Sequence, residues 1–221
     1  MNDLTIIFLT LNKVPKRWAK YHRKVLTEAI GDTPIITISK KPLNWGINLI
    51  QQSEGHANIY RQILRGAKLA KTPYIAIAED DTLYPQDHFA MFRPPLDTFG
   101  YNMNRWGILT WGKPTYFWKQ QMANCTMIAP RKLTIEALEE RFKKGMPEER
   151  CGELGKEKIE RRMGVSIRKH VDFYSKNPVL CFNHDFSLDP LERAHKKAMW
   201  WIRAYDIPIW GQAKTIVKKF A

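Results

Sequence analysis

Three consecutive carboxylates, Glu79-Asp80-Asp81, follow the apolar run Tyr-Ile-Ala-Ile-Ala at residues 74–78 of this 221-residue chain. Like charges within a few ångströms raise one another's pKa unless a cation or hydrogen-bond donors neutralise them. A divalent ion removes that repulsion, and oxygen ligation suits Mg²⁺ or Mn²⁺. Such an ion could hold a diphosphate and neutralise its charge as it departs. The alternative is a solvated turn after a strand, or a helix cap supplied by Asp80 or Asp81.

The elements that must position this cluster alternate between strand and helix signals. Residues 4–11 (LTIIFLTL) form a nearly unbroken apolar, β-branched run, as expected of a strand buried on both faces of a parallel sheet. Asn12, Lys13 and Pro15 break it. Residues 17–30 then predict a helix, because Trp18, Tyr21, Val25, Leu26 and Ala29 share one stripe and Gly31 stops it. A second strand is expected over 34–39, followed by an irregular stretch containing Trp45 and Gly46. A helix over 57–70 buries Ile59, Ile63, Ala67 and Ala70, and the strand 74–78 delivers the acidic cluster. This β-α-β-α-β order implies an α/β fold with right-handed crossovers and a mostly parallel sheet. Ligands of such sheets bind at the carboxyl ends of the strands, where the cluster falls.

The second half is less regular. Strands are expected at 106–111, 125–129 and 178–182, and helices at 133–144 and 193–205. The chain reads as one domain, 1–221, with a regular half over 1–100 and a less regular half over 101–221.

Lys and Arg total 36 against 22 Asp and Glu, a formal charge of +14. That surplus favours a polyanionic partner: nucleic acid, an anionic membrane surface or a phosphorylated substrate. Basic residues crowd 143–169, and aromatics are interleaved at Trp106, Trp111, Tyr116, Phe117 and Trp118. Cations that hold phosphates and rings that stack on bases or sugars are the parts of a nucleic-acid surface; aromatics also line carbohydrate sites. Cys125, Cys151 and Cys181 show neither zinc spacing nor a disulfide framework, which fits a reducing compartment. The first residues lack a basic region followed by a long apolar stretch, so no signal peptide is expected, and residues 4–11 are too few to span a bilayer. The expected location is the cytoplasm.

The segment AKTPYIAIAEDDTLYP resembles the DXD region of glycosyltransferases with the GT-A fold, particularly the family 2-like group. TIIFLTLN is similar to that family's first strand, with Thr10 and Asn12 at its Thr-x-Asn ending. The resemblance implies a Rossmann-like GT-A sheet, a UDP-sugar donor and a Mn²⁺ or Mg²⁺ cofactor. It implies Asp81 as metal ligand, with Glu79 and Asp80 toward the ribose and sugar of the nucleotide. Arg61 and Lys68, on the helix before the DXD strand, are expected to face the nucleotide. Ser39 ends the second strand, where many members of the family carry an acidic residue for the base. FNHDFS resembles the short motif that gives the metal a further ligand, here His184.

Transfer to a hydroxyl with inversion needs a positioned carboxylate base. The string Gly152-Glu153-Leu154-Gly155 allows a tight loop, and it resembles the loop that presents the catalytic acid in inverting GT-A enzymes. Glu153 is therefore the expected base, with Asp185 as the second candidate; Glu153 could instead cap a helix starting near Lys156. A short, basic GT-A chain is similar to the phage-type glycosyltransferases that modify hydroxymethylated pyrimidines in DNA. DNA is thus the expected acceptor, with lipopolysaccharide, capsule or another glycan as the alternative. A non-catalytic nucleic-acid-binding module would explain the charge but leave the acidic cluster unexplained.

Overall fold

The computed structural model describes residues 3–149, 151–185 and 202–220. Strand β1 (Leu4–Thr10) is buried along its whole length, as its continuous apolar sequence requires. It pairs in parallel with β2 (Ile35–Ser39) on one side and β4 (Tyr74–Glu79) on the other. A further parallel strand, β3 (Ile47–Ile50), forms the edge beyond β2. Beyond β4 lie β9 (Met127–Pro130), β6 (Thr98–Asn102) and β10 (Lys169–Phe173), giving the seven-stranded order β10-β6-β9-β4-β1-β2-β3. β9 is antiparallel to both of its neighbours.

Helices α1 (Lys16–Ile30) and α2 (His56–Leu69) cover opposite faces of this sheet. Leu4, Ile6 and Phe8 of β1 point to the face where Leu26 and Ala29 of α1 pack. The alternate residues Ile7 and Leu9 meet Tyr60, Ile63 and Ala67 of α2. Gly66 lets α2 sit directly on β1, since a Cβ there would lie 2.7 Å from the Ile7 side chain.

A second sheet has the order β12-β8-β7-β11-β5. It is built from β5 (Thr82–Leu83), β7 (Arg105–Leu109), β8 (Tyr116–Trp118), β11 (Val179–Asn183) and β12 (Arg203–Ala204). Only two residues separate β5 from β4, so the acidic turn at Asp80-Asp81 is the corner where the chain passes between sheets. Shorter elements complete the described chain: α3 (Gln86–Ala90), α4 (Arg131–Lys143), α5 (Glu157–Met163), the pair β13 (Asp206–Ile207) and β14 (Gly211–Gln212), and α6 (Ala213–Phe220). α6 packs its Phe220 against Trp18 of α1 and Phe182 of β11.

The expected alternation over residues 4–79 is present, and the architecture is α/β with a mostly parallel sheet flanked by helices. Three strands of the seven-stranded sheet were not foreseen from the sequence. β3 and β10 are edge strands with several exposed residues, so neither shows an apolar run. β6 carries Gly100 and Asn102, which favour turns, yet it is wholly buried. Of the helix expected over 193–205, residues 193–201 lie outside the described residues, and Arg203–Ala204 is extended and pairs with β8.

Candidate functional site

The corner between the sheets is held by its backbone. Three successive carbonyls each receive a donor, two from α1 and one from β11. The indole Nε1–H of Trp18 donates to the Asp80 carbonyl at 2.7 Å. The Phe182 amide donates to the Asp81 carbonyl at 2.8 Å. His22 Nε2 lies 2.9 Å from the Thr82 carbonyl, and because a carbonyl only accepts, the ring carries its proton on Nε2. Trp18 and His22 are one helical turn apart and both fully buried, so α1 anchors the turn from beneath. With the carbonyls tied inward, the carboxylates face a cleft at the carboxyl ends of β1 and β4.

That cleft has a volume of about 180 Å³, and Glu79, Asp80, Asp81 and His184 line it. The antiparallel register of β11 on β5, with Cys181 opposite Thr82, carries the following residues alongside the acidic turn. His184 Nε2 thereby comes to 3.4 Å from Asp81 Oδ2. The other oxygen of Asp81 accepts from the Thr82 hydroxyl at 3.0 Å. Thr10 Oγ1 donates a short hydrogen bond to Asp80, which follows from the parallel pairing of Leu9 with Glu79.

Burial and the neighbouring Asp81 charge push Asp80 up to about 7. The same two causes push Glu79 well above the usual carboxylate range. Two buried cations of the second sheet, Arg105 and Lys119, oppose this charge from behind: Arg105 acts on Glu79 and Lys119 is drawn by Asp81. Burial lowers Lys119 to about 8, and its Nζ donates to Asn183 Oδ1 at 2.7 Å.

The opposite wall of the cleft is polar and comes from the β3–α2 connection and α2. Gln62 Nε2 donates to Asn58, Asn58 Nδ2 donates to Gln51, and Gln51 Nε2 donates to the Thr10 carbonyl, at 2.7, 2.7 and 3.1 Å. Glu54, also in the lining, is gripped by Lys13 at 2.6 Å and Lys40 at 2.5 Å. Those contacts hold its carboxyl at about 2. None of these four residues was singled out in the sequence. Asn58 and Gln62 stand four apart on the cleft face of α2, a spacing that could have marked them.

The structure gathers Thr10, Glu79, Asp80, Asp81 and His184 of the expected set, with Asp185 exposed beside His184. The other expected positions do not line this cleft. Arg61 pairs with Glu148 and Lys68 with Glu139 at 2.6 Å, and neither lines the cleft. Both stand roughly a quarter of a turn around α2 from Asn58 and Gln62, toward the side where α4 packs. Ser39 is fully buried, donating to the Lys41 carbonyl and accepting from Asn48, so it braces the β2–β3 loop. Asn12 adopts a positive φ of 56° and accepts from the Lys41 amide; it lines a second cavity on the α1 side. Glu153 is outside the cleft lining, and its loop is rigid: Arg141 donates to the carbonyls of Gly152 and Glu153, Tyr60 to Gly152, and Tyr101 to Leu154. Its carboxylate lies 3.5 Å from Lys156 Nζ, and α5 begins without a side-chain cap, so Glu153 caps no helix.

Among the described residues, no group of three or more His, Cys, Asp or Glu side chains is placed to hold a metal ion. Asp81 and His184 together offer two ligands, with crowded, desolvated carboxylates beside them. This fits a divalent ion that takes its remaining ligands from a bound diphosphate and water.

No protein-family model matches the sequence, and no curated protein matches it. Solved structures do align with it. S. aureus TarS 1-349, solved in complex with UDP-GlcNAc, aligns with a TM-score of 0.50 at 13% identity, over 84% of this chain and 60% of that one. A glycosyltransferase involved in glycosylation of the major capsid of PBCV-1 aligns at 0.49 with 14% identity, over 89% and 98%. A nucleotidyl transferase from Methanothermobacter thermautotroptrophicus gives 0.41 at 11%, over 63% and 76%. The TarS likeness shows the GT-A fold. No described helix is long and apolar enough to cross a membrane.

Proposed function

We propose that the chain is a metal-dependent glycosyltransferase that moves a sugar from a nucleoside-diphosphate donor to a hydroxyl. The observation that carries this reading is the facing pair Asp81 and His184, 3.4 Å apart, at the sheet edge where ligands of this fold bind. Asp81 and His184 would hold Mn²⁺ or Mg²⁺, which supplies charge neutralisation of the leaving diphosphate. Asp80 and Glu79 would receive ribose and sugar hydroxyls, with Thr10 fixing the Asp80 carboxylate. The amide series Gln51, Asn58 and Gln62, together with Glu54, lines the cleft and would hold the base in place of an acidic residue after β2. A UDP-sugar, with glucose the expected sugar, is the donor favoured by the likeness of the acidic segment to family 2-like enzymes.

Glu153 and Asp185 are the two candidates for the base that takes the proton from the acceptor hydroxyl. The pinned loop supports Glu153, because a base must be held still. Proximity to His184 supports Asp185. For the acceptor, the +14 charge favours a polyanion, and a hydroxymethylated pyrimidine in DNA is the reading adopted. The test is hydrolysis and transfer of labelled UDP-glucose, with and without Mn²⁺, in the presence of plain DNA, DNA containing 5-hydroxymethylcytosine or 5-hydroxymethyluracil, or a glycan. Transfer to the modified DNA alone supports the reading. Transfer to the glycan alone moves the acceptor to the carbohydrate alternative, and absence of any metal-dependent turnover overturns the enzyme.

A further inference from the structure

A second cavity, about 470 Å³, opens on the α1 side of the sheet, across β1 from the donor cleft. Its volume falls in the range of sites for molecules larger than a single ring. Its inner wall is aromatic: Phe8 of β1 is buried, and Trp45 of the β2–β3 loop tilts against it with ring centroids 5.1 Å apart. Gly46 sets the position of Trp45. It holds a φ of +63°, and a Cβ there would strike the Ile35 carbonyl at 2.2 Å, so the turn after Trp45 closes tightly on β2. The Arg23 guanidinium lies 5.1 Å from the centre of the Trp45 ring and is fixed by a 2.6 Å bond to the Asn44 carbonyl.

The mouth is cationic. Lys16 and Lys20 project from the first turns of α1, and Lys41 from the loop opposite, all exposed. Among the described residues none of these three lysines has an ion-pair partner, whereas Lys13 and Lys40 nearby are spent on Glu54. A flat aromatic and guanidinium wall beneath unpaired ammonium groups matches a ligand with a planar ring and a phosphate. The two cavities share Thr10, Val14 and Asp80 as their dividing wall. A group seated in the second cavity is therefore one side chain away from the donor cleft.

We propose that this cavity binds one nucleotide unit of a single nucleic-acid strand, its ring against Trp45 and Arg23 and its phosphates at Lys16, Lys20 and Lys41. As the acceptor subsite it rests on the sugar-transfer reading; as a nucleotide-binding site it stands independently. A ring taken out of a duplex stack would reach it in the same way.

The test is fluorescence anisotropy of a labelled oligothymidylate of about a dozen nucleotides, titrated with the full chain across a range of salt. Trp45→Leu should weaken binding about tenfold, the scale of one lost stacking partner, with the salt dependence unchanged. The triple variant Lys16→Ala, Lys20→Ala, Lys41→Ala should make the slope of log affinity against log salt shallower by about 2. Control substitutions on a distant surface, Lys71→Ala with Lys132→Ala, should change neither. Dextran sulfate, a polyanion with no ring to stack, should be insensitive to Trp45→Leu. Unchanged affinity and slope in both cavity variants, or an equal loss in the control, would overturn the proposal. So would complete displacement of the oligonucleotide by UDP-glucose with Mn²⁺, which would put the strand in the donor cleft. Donor hydrolysis followed in the same variants separates the two ideas: hydrolysis with no cavity-dependent strand binding sinks the subsite alone. Cavity-dependent strand binding without any donor hydrolysis sinks the enzyme and leaves the subsite.

Discussion

The indole N–H of Trp18 donates a 2.7 Å hydrogen bond to the carbonyl of Asp80, so a fully buried side chain of the first helix holds the turn that carries the cleft-lining carboxylates. Together with the Phe182 amide and His22 it satisfies every carbonyl from Asp80 to Thr82. A buried carbonyl left without a donor costs about 1–3 kcal/mol. Trp18→Phe keeps most of the ring volume and removes only the donor. The expected result is a stability loss of that size by urea denaturation and a weaker apparent affinity for Mn²⁺ in donor hydrolysis. A variant with full stability loss but unaltered metal dependence would show that the turn needs no such anchor.

His22 should give the protein an acid weakness. Burial lowers the imidazole from 6.5 to about 4, against the pull of the Thr82 carbonyl and Asp81. The unfolded chain takes up a proton below pH 6.5 that the folded protein refuses until about 4, so stability from this residue is lost as pH falls through that window. The shift corresponds to about 3 kcal/mol. Asp80, raised to about 7, acts in the opposite sense, so the difference between wild type and His22→Gln isolates the histidine. The gap in unfolding free energy should narrow steadily from pH 6.5 toward 4. A gap independent of pH would mean that the ring is protonated in place.

The carboxylates should repel one another until a cation arrives. Asp81→Asn removes one charge beside Asp80 and Glu79, both of which its charge pushes up. Without metal the variant should melt at or above the wild-type temperature, while losing the stabilisation that Mn²⁺ and UDP-sugar give the wild type. A lower melting temperature without metal, with ligand stabilisation retained, would remove Asp81 from the metal site.

The choice of base is settled by separating donor binding from transfer. If Glu153 takes the acceptor proton, Glu153→Gln should slow transfer by about 10²-fold or more while leaving UDP-sugar affinity unchanged. If Asp185→Asn does so instead, the role belongs to the exposed carboxylate beside His184. The corresponding kcat loss at constant KM for the donor is the diagnostic pattern.

The sheet was largely legible because β1 and β4 are short, unbroken apolar runs that only a doubly covered strand explains. The acidic cluster was legible for the same reason, as charge placed where such a strand must end. Arg61 and Lys68 were expected at the nucleotide through the family resemblance, and in the structure they pair with Glu148 and Glu139 instead of lining the cleft. The buried amides Asn58 and Gln62, held by Gln51, define the cleft side of α2. Trp18 reads as one member of an apolar stripe and His22 was not singled out; only the packing of α1 against β5 brings the two under the turn. Lys119 and Arg105 look like surface charge in the sequence; their burial depends on a second sheet assembled from segments almost a hundred residues apart.

The central claim is a metal held between Asp81 and His184 that binds a nucleotide sugar. It is tested most directly by calorimetric titration of UDP-glucose, UDP-GlcNAc and a GDP-sugar into wild type, Asp81→Asn and His184→Ala, each with and without Mn²⁺. At least one donor should bind the wild type only with the metal, and that binding should vanish in Asp81→Asn and weaken at least tenfold in His184→Ala, a change of about 1.4 kcal/mol. Donor binding that ignores both Mn²⁺ and the two substitutions, or no binding of any donor, would contradict it.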